Sequence, residues 1–559
     1  MKILTKPIFA LFFIVVLAVL LRGYQLGSVP QSINWDEASL GYNAYSILMT
    51  GRDEYGKLLP VVLQSFDDYK PALYVYFAIP FVAVLGLAEQ AVRLPSMLAG
   101  ISAVVIVYFL VLELLGSSRI RILKKEIPTT IVALVCAFLL SISPWHIQFS
   151  RVAYESNVGL TLNLLAFLLF LKGLKKHYLL PFSFFIAAAN VHMYQSERVF
   201  SPLLMILLSA IFYKSILKIK KWILFSGIVA IITALPLLIY IATNSNALMR
   251  AKGVSVFSQQ SVVEGSAEKL LNDEKTGYAL GKVIDNRRVE FAKATVAGYI
   301  SHFDPNWLFI TGDLARHHAP FMGLLYIFEL PFLLLGIYLF TYLKIDRRYK
   351  LAFFGYFLLV PVPASITSGV PHAVRTLNFA WTWELFISIG LVAAFIFVFE
   401  KRQKLQSLGL RCIALVYMLL ALINFLYFLN QYFVQLNYYN AQDWLYGYKQ
   451  AIASVNSVRN EYDQVVVENQ VPFDQSYMFF LFYLRVDPSY YQSLGGTKSG
   501  GFKEEHKGFY NFKFRSVAEV SDGGKILLMG RPRDLNEKSG RRNVIYYPDG
   551  NEAIVIAEK

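Results

Sequence analysis

Residues 7–37 read PIFALFFIVVLAVLLRGYQLGSVPQSINWDE: an apolar run to Leu21, a single arginine, a short polar stretch, and then a tryptophan followed by two adjacent carboxylates. The run sits behind Lys2 and Lys6, as a secretory leader would. No small-x-small cleavage signal closes it, and many further apolar runs follow, so it reads as a retained first helix. Asp36 and Glu37 then lie a short way beyond a membrane span. Charged groups are costly there unless they face a polar cavity, which makes the pair a candidate functional feature from the outset.

The rest of the chain agrees with that opening. Of 559 residues 56% are hydrophobic and 16% charged, against about 25% charged in an ordinary soluble domain. Mean hydropathy is +0.46. About 11 runs approach the roughly 20 apolar residues that a spanning helix needs: 7–22, 93–115, 128–143, 157–172, 178–193, 199–213, 222–241, 321–343, 350–366, 379–399 and 410–429. The apolar stretch 71–87 is bracketed by Pro71 and Pro80 and reads as an interfacial or re-entrant helix. Cys136 and Cys412 fall within apolar runs, so no disulfide framework is implied.

The net charge of +15 has a topological origin. Alternate connections hold Lys2 and Lys6; Arg119, Arg121, Lys124 and Lys125; Lys172, Lys175 and Lys176; Lys214, Lys218, Lys220 and Lys221; Lys344, Arg347, Arg348 and Lys350; and Lys401, Arg402, Lys404 and Arg411. Against them stand Glu126, Asp346 and Glu400. Lys and Arg excess marks cytoplasmic connections. The basic balance therefore records orientation, and no nucleic-acid partner is expected. The expectation is a multi-pass protein of the cell membrane with a cytoplasmic N-terminus. Residues 1–429 form its transmembrane domain, with outer loops at 23–92 and 242–320. Residues 430–559 carry equal numbers of Lys/Arg and Asp/Glu. There a helical run (WLYGYKQAIASVNSVRN) precedes strand-like runs (QVVVEN, KILLMG, NVIYYP, EAIVIAE), which predicts a small extracytoplasmic α/β domain.

The first outer loop continues INWDEASLGYNAYSILMTGRDEYGKLLPVVLQSFDDYKPALYVY (33–76), followed by EQAVRLPSMLAG. An acidic pair after the first span, then G-x-D-E-x-G, then K-P-x-L-Y, then R-l-P-S, resembles the protein O-mannosyltransferase and lipid A aminoarabinose transferase superfamily. These are glycosyltransferases of the GT-C fold, close to family 39. The resemblance covers roughly the first 200 residues, with echoes to about 380 and in the tail; each motif alone is weak, and their order and spacing relative to the spans make the set specific. It implies transfer of a sugar from a polyprenyl-phosphate carrier to an acceptor outside the cytoplasm, with inversion. Asp36 would act as base or orient the acceptor, with Glu37 its neighbour. Lys70 of the K-P motif would contact the carrier phosphate. Glu155, in SRVAYESN, matches an acidic position of the second outer loop that is aspartate in the aminoarabinose branch. The acceptor is left open between protein, lipid and glycan, and the sugar is not specified.

The residue types suit that chemistry on their own account. An acceptor hydroxyl is a weak nucleophile that a positioned carboxylate activates. A lipid phosphate leaves as an anion and needs cations to hold its charge. The outer connections supply Arg151, Arg316 with His317 and His318, Arg375 with His372, and Arg198. Of these Arg375, His372, Arg316 and His317, with Lys70, are the candidate donor-phosphate contacts. Arg93 and Arg198 read as interfacial anchors, Arg151 and Glu155 as a helical-spaced ion pair or as functional groups, Asp53 and Glu54 as a turn between Gly51 and Gly56, and Asp67 with Asp68 as a helix start. His302, His317 and His318 with Asp304 and Asp313 include enough ligand types for a divalent cation, but the spacing matches no zinc signature, so no cofactor or metal is assigned. Glu329 and Glu384 fall inside apolar runs, where they line a pocket or pair with Arg375. Trp35, Tyr42 and Tyr154 are candidates to stack on a sugar ring. A secondary transporter is the competing class; transporters place polar sites at mid-membrane within repeated halves, whereas here the charges gather in outer loops and no repeat is visible.

Overall fold

The computed structural model describes residues 7–66, 68–116, 118–123, 125–248, 253–400, 406–497, 508–520, 523–535 and 540–559. Lys2, Lys6, Asp67, Lys124, Lys401, Arg402 and Lys404 lie outside the described residues.

Helices dominate. Five are long and apolar enough to cross a bilayer: Glu89–Leu115, Glu155–Gly173, Tyr213–Thr243, Leu377–Val398 and Gly409–Tyr439. A sixth span results if Thr129–Ile142 and Pro144–Ser150, bent by 59°, are one element. Pro144 is the evident cause of the break, since its ring removes a backbone donor and crowds the preceding turn. The remaining predicted runs are helical but short. Pro7–Gly23 has 17 residues, Leu180–Asn190 has 11, Glu197–Ile211 has 15, and Leu330–Tyr342 and Arg347–Leu359 have 13 each. Among the described residues, then, five to six helices reach spanning length where the sequence suggested about 11. The stretch 71–87 forms the helix Leu73–Leu85, 13 residues long, with Pro80 inside it.

Two compact units emerge from the chain. One comprises residues 1–21, 100–149 and 156–426; the other comprises 22–99, 150–155 and 427–559. In the first, the helices Leu330–Tyr342 and Ala380–Glu400 meet backbone to backbone. A Cβ on Gly336 would fall 1.8 Å from the Phe386 carbonyl oxygen, and one on Gly390 2.0 Å from that of Phe332. Small residues at such a crossing are what permits close packing where no hydrophobic drive separates helix from lipid.

The second unit joins residues 22–99 to the C-terminal segment. Its opening helix, Trp35–Thr50, begins at Asn34, whose side chain accepts the Glu37 N–H, and ends at Gly51 in the left-handed conformation (φ 70°). Gly41 lets this helix sit against its neighbours, because a Cβ there would lie 2.6 Å from side-chain atoms of both Val92 and Phe482. Strands β1 (Val62–Ser65) and β2 (Asp68–Pro71) follow as an antiparallel hairpin. In the first unit β3 (Arg119–Ile122) and β4 (Lys125–Pro128) form another. The C-terminal segment holds the helix Tyr448–Val458 and a five-stranded sheet of β5 (Gln464–Val467), β6 (Phe512–Phe514), β7 (Ile526–Gly530), β8 (Gly540–Tyr546) and β9 (Glu552–Glu558). The order is β6-β5-β7-β9-β8, with β5 parallel to both β6 and β7 and the β9 pairings antiparallel. The four strand-like runs of the sequence are β5, β7, β8 and β9. The short β6 gave no alternation long enough to read.

Candidate active site

Asp36 and Glu37 occupy the first turn of Trp35–Thr50, where carboxylates favour the positive end of the helix dipole. Their fates diverge because adjacent helical residues point about 100° apart. Glu37 is 1% exposed and fully engaged. Arg93 clasps it with Nε donating to Oε1 (2.9 Å) and Nη2 to Oε2 (3.1 Å). The N–H of Ala153 donates to Oε1 (3.0 Å) and that of Asn34 to Oε2 (3.3 Å). Arg93 spends its other donors on the carbonyls of Leu26, Pro30 and Ser32. Arg93 is therefore not the snorkelling anchor the sequence suggested. It is wholly buried and ties the first loop around Glu37, a fork-to-carboxylate geometry that lysine does not reproduce.

Asp36 instead keeps 41% of its side chain exposed and pairs with the ammonium of Lys70. Lys70 comes from the β1–β2 hairpin, opposite Leu63. The turn places Phe66 at φ 52°, a conformation costly for a bulky residue, and the Phe66 ring lies 5.7 Å from Lys70 Nζ. Glu155 starts the helix Glu155–Gly173 and is 8% exposed. The charges that act on its carboxyl are those of Lys70 and Asp36. Asp36, Lys70 and Glu155, remote in sequence, thus share one electrostatic neighbourhood within this unit.

Arg151 donates to the carbonyls of Arg22 (3.0 Å), Val29 (2.9 Å) and Gln25 (3.3 Å), and its guanidinium lies 4.8 Å from the centre of the Phe433 ring. It secures the chain that follows the first helix, a role that the spacing to Glu155 did not reveal. Asp53 and Glu54 form the turn expected of GRDEYG, with Gly51 at φ 70° and Gly56 at φ 81°. Asp53 Oδ1 accepts the N–H groups of Tyr55 (3.0 Å) and Lys57 (2.8 Å), while burial pushes its carboxyl up from the ordinary range. Glu54 does more than turn the chain. It is fully buried, accepting from Asn43 (3.0 Å) and from Thr497 (2.7 Å). Tyr42 has no exposed surface, and its hydroxyl donates to the Val486 carbonyl (3.1 Å), so it packs and does not face a sugar.

The first unit carries a second cluster. Asp313 Oδ2 accepts from the backbone N–H of Ala373 (2.7 Å) and lies 2.9 Å from His317 Nδ1. The His317 and His372 rings are 5.3 Å apart. His302 accepts the His372 N–H at Nε2 (3.2 Å) and lies 2.7 Å from the Gly298 carbonyl at Nδ1. Those two partners assign a neutral imidazole protonated at Nδ1, in accord with burial lowering its pKa to about 4. Burial, reinforced by Arg375 and His317, also keeps His372 well below the usual histidine range. Arg375 donates to Thr367 Oγ1 (2.5 Å) and the Ser368 carbonyl (2.7 Å), not to Glu329 or Glu384 as the sequence allowed. Gln148 donates to the Arg316 carbonyl (2.5 Å). Glu329 and Glu384 are completely buried, with Glu329 Oε2 accepting the Tyr326 N–H at 3.0 Å. Arg198 holds Gln195 through Nη1 (2.7 Å).

No known family pattern and no curated protein matches the chain in sequence. Solved structures match in three dimensions. ArnT from Cupriavidus metallidurans in the apo state superposes with a TM-score of 0.53 at 10% identity, over 98% of this chain and 97% of that one. The same protein bound to undecaprenyl phosphate gives 0.51, again at 10% identity over 98% and 97%. The oligosaccharyltransferase of Archaeoglobus fulgidus, tethered to an acceptor peptide, matches at 0.49 and 12% identity over 85% of this chain, which spans 63% of that protein's length. At these identities the likeness speaks for architecture: the chain has the GT-C fold of ArnT.

Proposed function

We propose that this protein is an inverting glycosyltransferase that moves a monosaccharide, hexose or pentose, from a polyprenyl-phosphate carrier to an acceptor hydroxyl on the extracytoplasmic face of the cell membrane. ArnT, whose fold the chain has, is a glycosyltransferase that has been captured with undecaprenyl phosphate. The observation that carries the reading is the contrast within the acidic pair: Glu37 is locked by Arg93, while Asp36 stays accessible against Lys70. In this reading Glu37 is a positioning residue that fixes the helix start, and Asp36 takes the proton from the acceptor hydroxyl as it attacks the anomeric carbon. Lys70 pairs with Asp36 at rest and turns to the lipid phosphate as the glycosidic C–O bond breaks and charge builds on that phosphate. Glu155 stands beside them as a second carboxyl to orient the acceptor.

Arg375 and Arg316, beside His372 and His317, are an anion-binding set by residue type and the further candidates for the donor phosphate. Eleven spans with a cytoplasmic N-terminus and the segment from 430 onward outside would put the loop carrying Asp36 on the outer face. A transporter reading draws on one observation, the buried carboxylates Glu329 and Glu384 within apolar helices.

Purified protein in detergent, given labelled polyprenyl-phosphate sugars and cell-envelope acceptors, separates the two readings. Transfer from one donor, with donor affinity falling about 10- to 150-fold in Lys70→Ala for a lost charge-assisted contact of about 1.5–3 kcal/mol, supports the proposal. Solute flux in liposomes with no transfer across the donor panel overturns it.

A further inference from the structure

We propose that Asp313, His317 and His372 bind a divalent transition-metal cation of the zinc type. The inference rests on geometry and is independent of the glycosyltransferase reading. One ligand atom from each residue lies within 4.8 Å of the others, close to what a single cation requires. His372 Nδ1 is shut off from solvent and has no hydrogen-bond partner. An imidazole nitrogen buried without a partner forfeits its hydration for nothing, and a metal ion is the ligand that restores the balance. Two imidazoles and one carboxylate are a donor set that zinc accepts, leaving a fourth position open.

The surroundings supply the orienting contacts such a site needs. The Ala373 N–H fixes Asp313 Oδ2, and the His317 N–H closes a turn onto the Leu314 carbonyl (2.7 Å). His302, saturated by Gly298 and by the His372 N–H, holds the loop that carries His372 and is not itself available as a ligand. That separates this set from the sequence-level grouping of His302, His318, Asp304 and their neighbours. His318 lies against the Ala319 carbonyl (2.7 Å), and Asp304 accepts the Asn306 N–H (2.9 Å). The fields of Arg375 on His372 and of Arg316 on His317 add a second feature. A divalent cation beside these guanidiniums adds to a positive field that the Asp313 carboxylate partly offsets. The open position therefore takes an anionic oxygen, and phosphate and metal bind with positive coupling.

The test is zinc content of the whole detergent-solubilised protein, stripped with a chelator and dialysed against zinc ion at micromolar concentration. One zinc per chain is expected. Affinity falls at least tenfold in His372→Ala and in Asp313→Asn, is recovered in His372→Cys, and is unchanged in His318→Ala and Asp304→Asn. Cobalt in place of zinc gives visible ligand-field absorption that His372→Ala abolishes. Wild-type protein that holds no zinc, or zinc that stays bound equally in folded His317→Gln and His372→Cys/Asp313→Asn variants, overturns the proposal.

Discussion

Two polar clusters, one in each unit, differ in how completely their hydrogen bonds are taken. In the helical unit Glu197 is 1% exposed and accepts from Asn163 (2.6 Å) and Asn378 (2.9 Å), while Asn378 accepts in turn from the Tyr356 hydroxyl (2.8 Å). Asn190 and Ser201 reach Asn163 at 2.9 and 2.8 Å. In the first-loop unit Asp36 meets water and a lysine, with Glu155 alongside. A carboxylate held on both oxygens by buried amides specifies packing and has little left to offer a substrate. A carboxylate that is half exposed and held by a movable ammonium retains both acceptor capacity and access. Glu37 makes the same point one residue from Asp36, for it belongs with Glu197 and not with its neighbour.

That division can be broken experimentally. The largest stability effect is expected in Arg93→Met, which strands a buried carboxylate and costs about 3–5 kcal/mol. A melting curve in detergent checks it, and adding Glu37→Gln recovers part of the loss because the two sites share one interaction. Glu197→Ala removes the acceptor of two buried amides and is expected to cost about 1–3 kcal/mol by the same assay, with donor affinity unchanged. If Glu197→Ala alters donor affinity at constant stability, the helical cluster is part of the site and the division fails. The smallest effect belongs to Arg121, whose ion pair with Glu126 (3.2 Å) leaves both side chains more than half exposed. Arg121→Ala should change stability by less than about 1 kcal/mol and leave transfer intact.

Local signals were legible in the sequence. Gly51 and Gly56 announce the turn at Asp53 and Glu54 through their own chemistry, and four of the five C-terminal strands show as short apolar runs. The ordered motifs of the first loop pointed to Asp36 and Lys70, and the match at SRVAYESN to Glu155; the fold brings the three into one electrostatic neighbourhood. Long-range pairings were not legible. Arg93 stands 56 residues from Glu37, and nothing in RLPS distinguishes a buried clasp from a helix-end anchor. His372 meets His317 through the way two loops lie against each other, so no ligand spacing in the chain foreshadowed it. Span number was only partly legible: five to six helices among the described residues reach spanning length, while the other apolar runs form shorter helices, one of them, Glu197–Ile211, with a proline inside it.

The most direct measurement is a single-turnover transfer rate from preloaded lipid-phosphate sugar, set beside donor affinity, for Asp36→Asn. If Asp36 is the base, the rate falls by about 10²- to 10⁴-fold, the size of a lost general-base contribution, while donor affinity and melting temperature stay at wild-type values. An Asp36→Asn protein that transfers sugar as fast as the wild type, or that loses rate only because it no longer binds donor, contradicts the account.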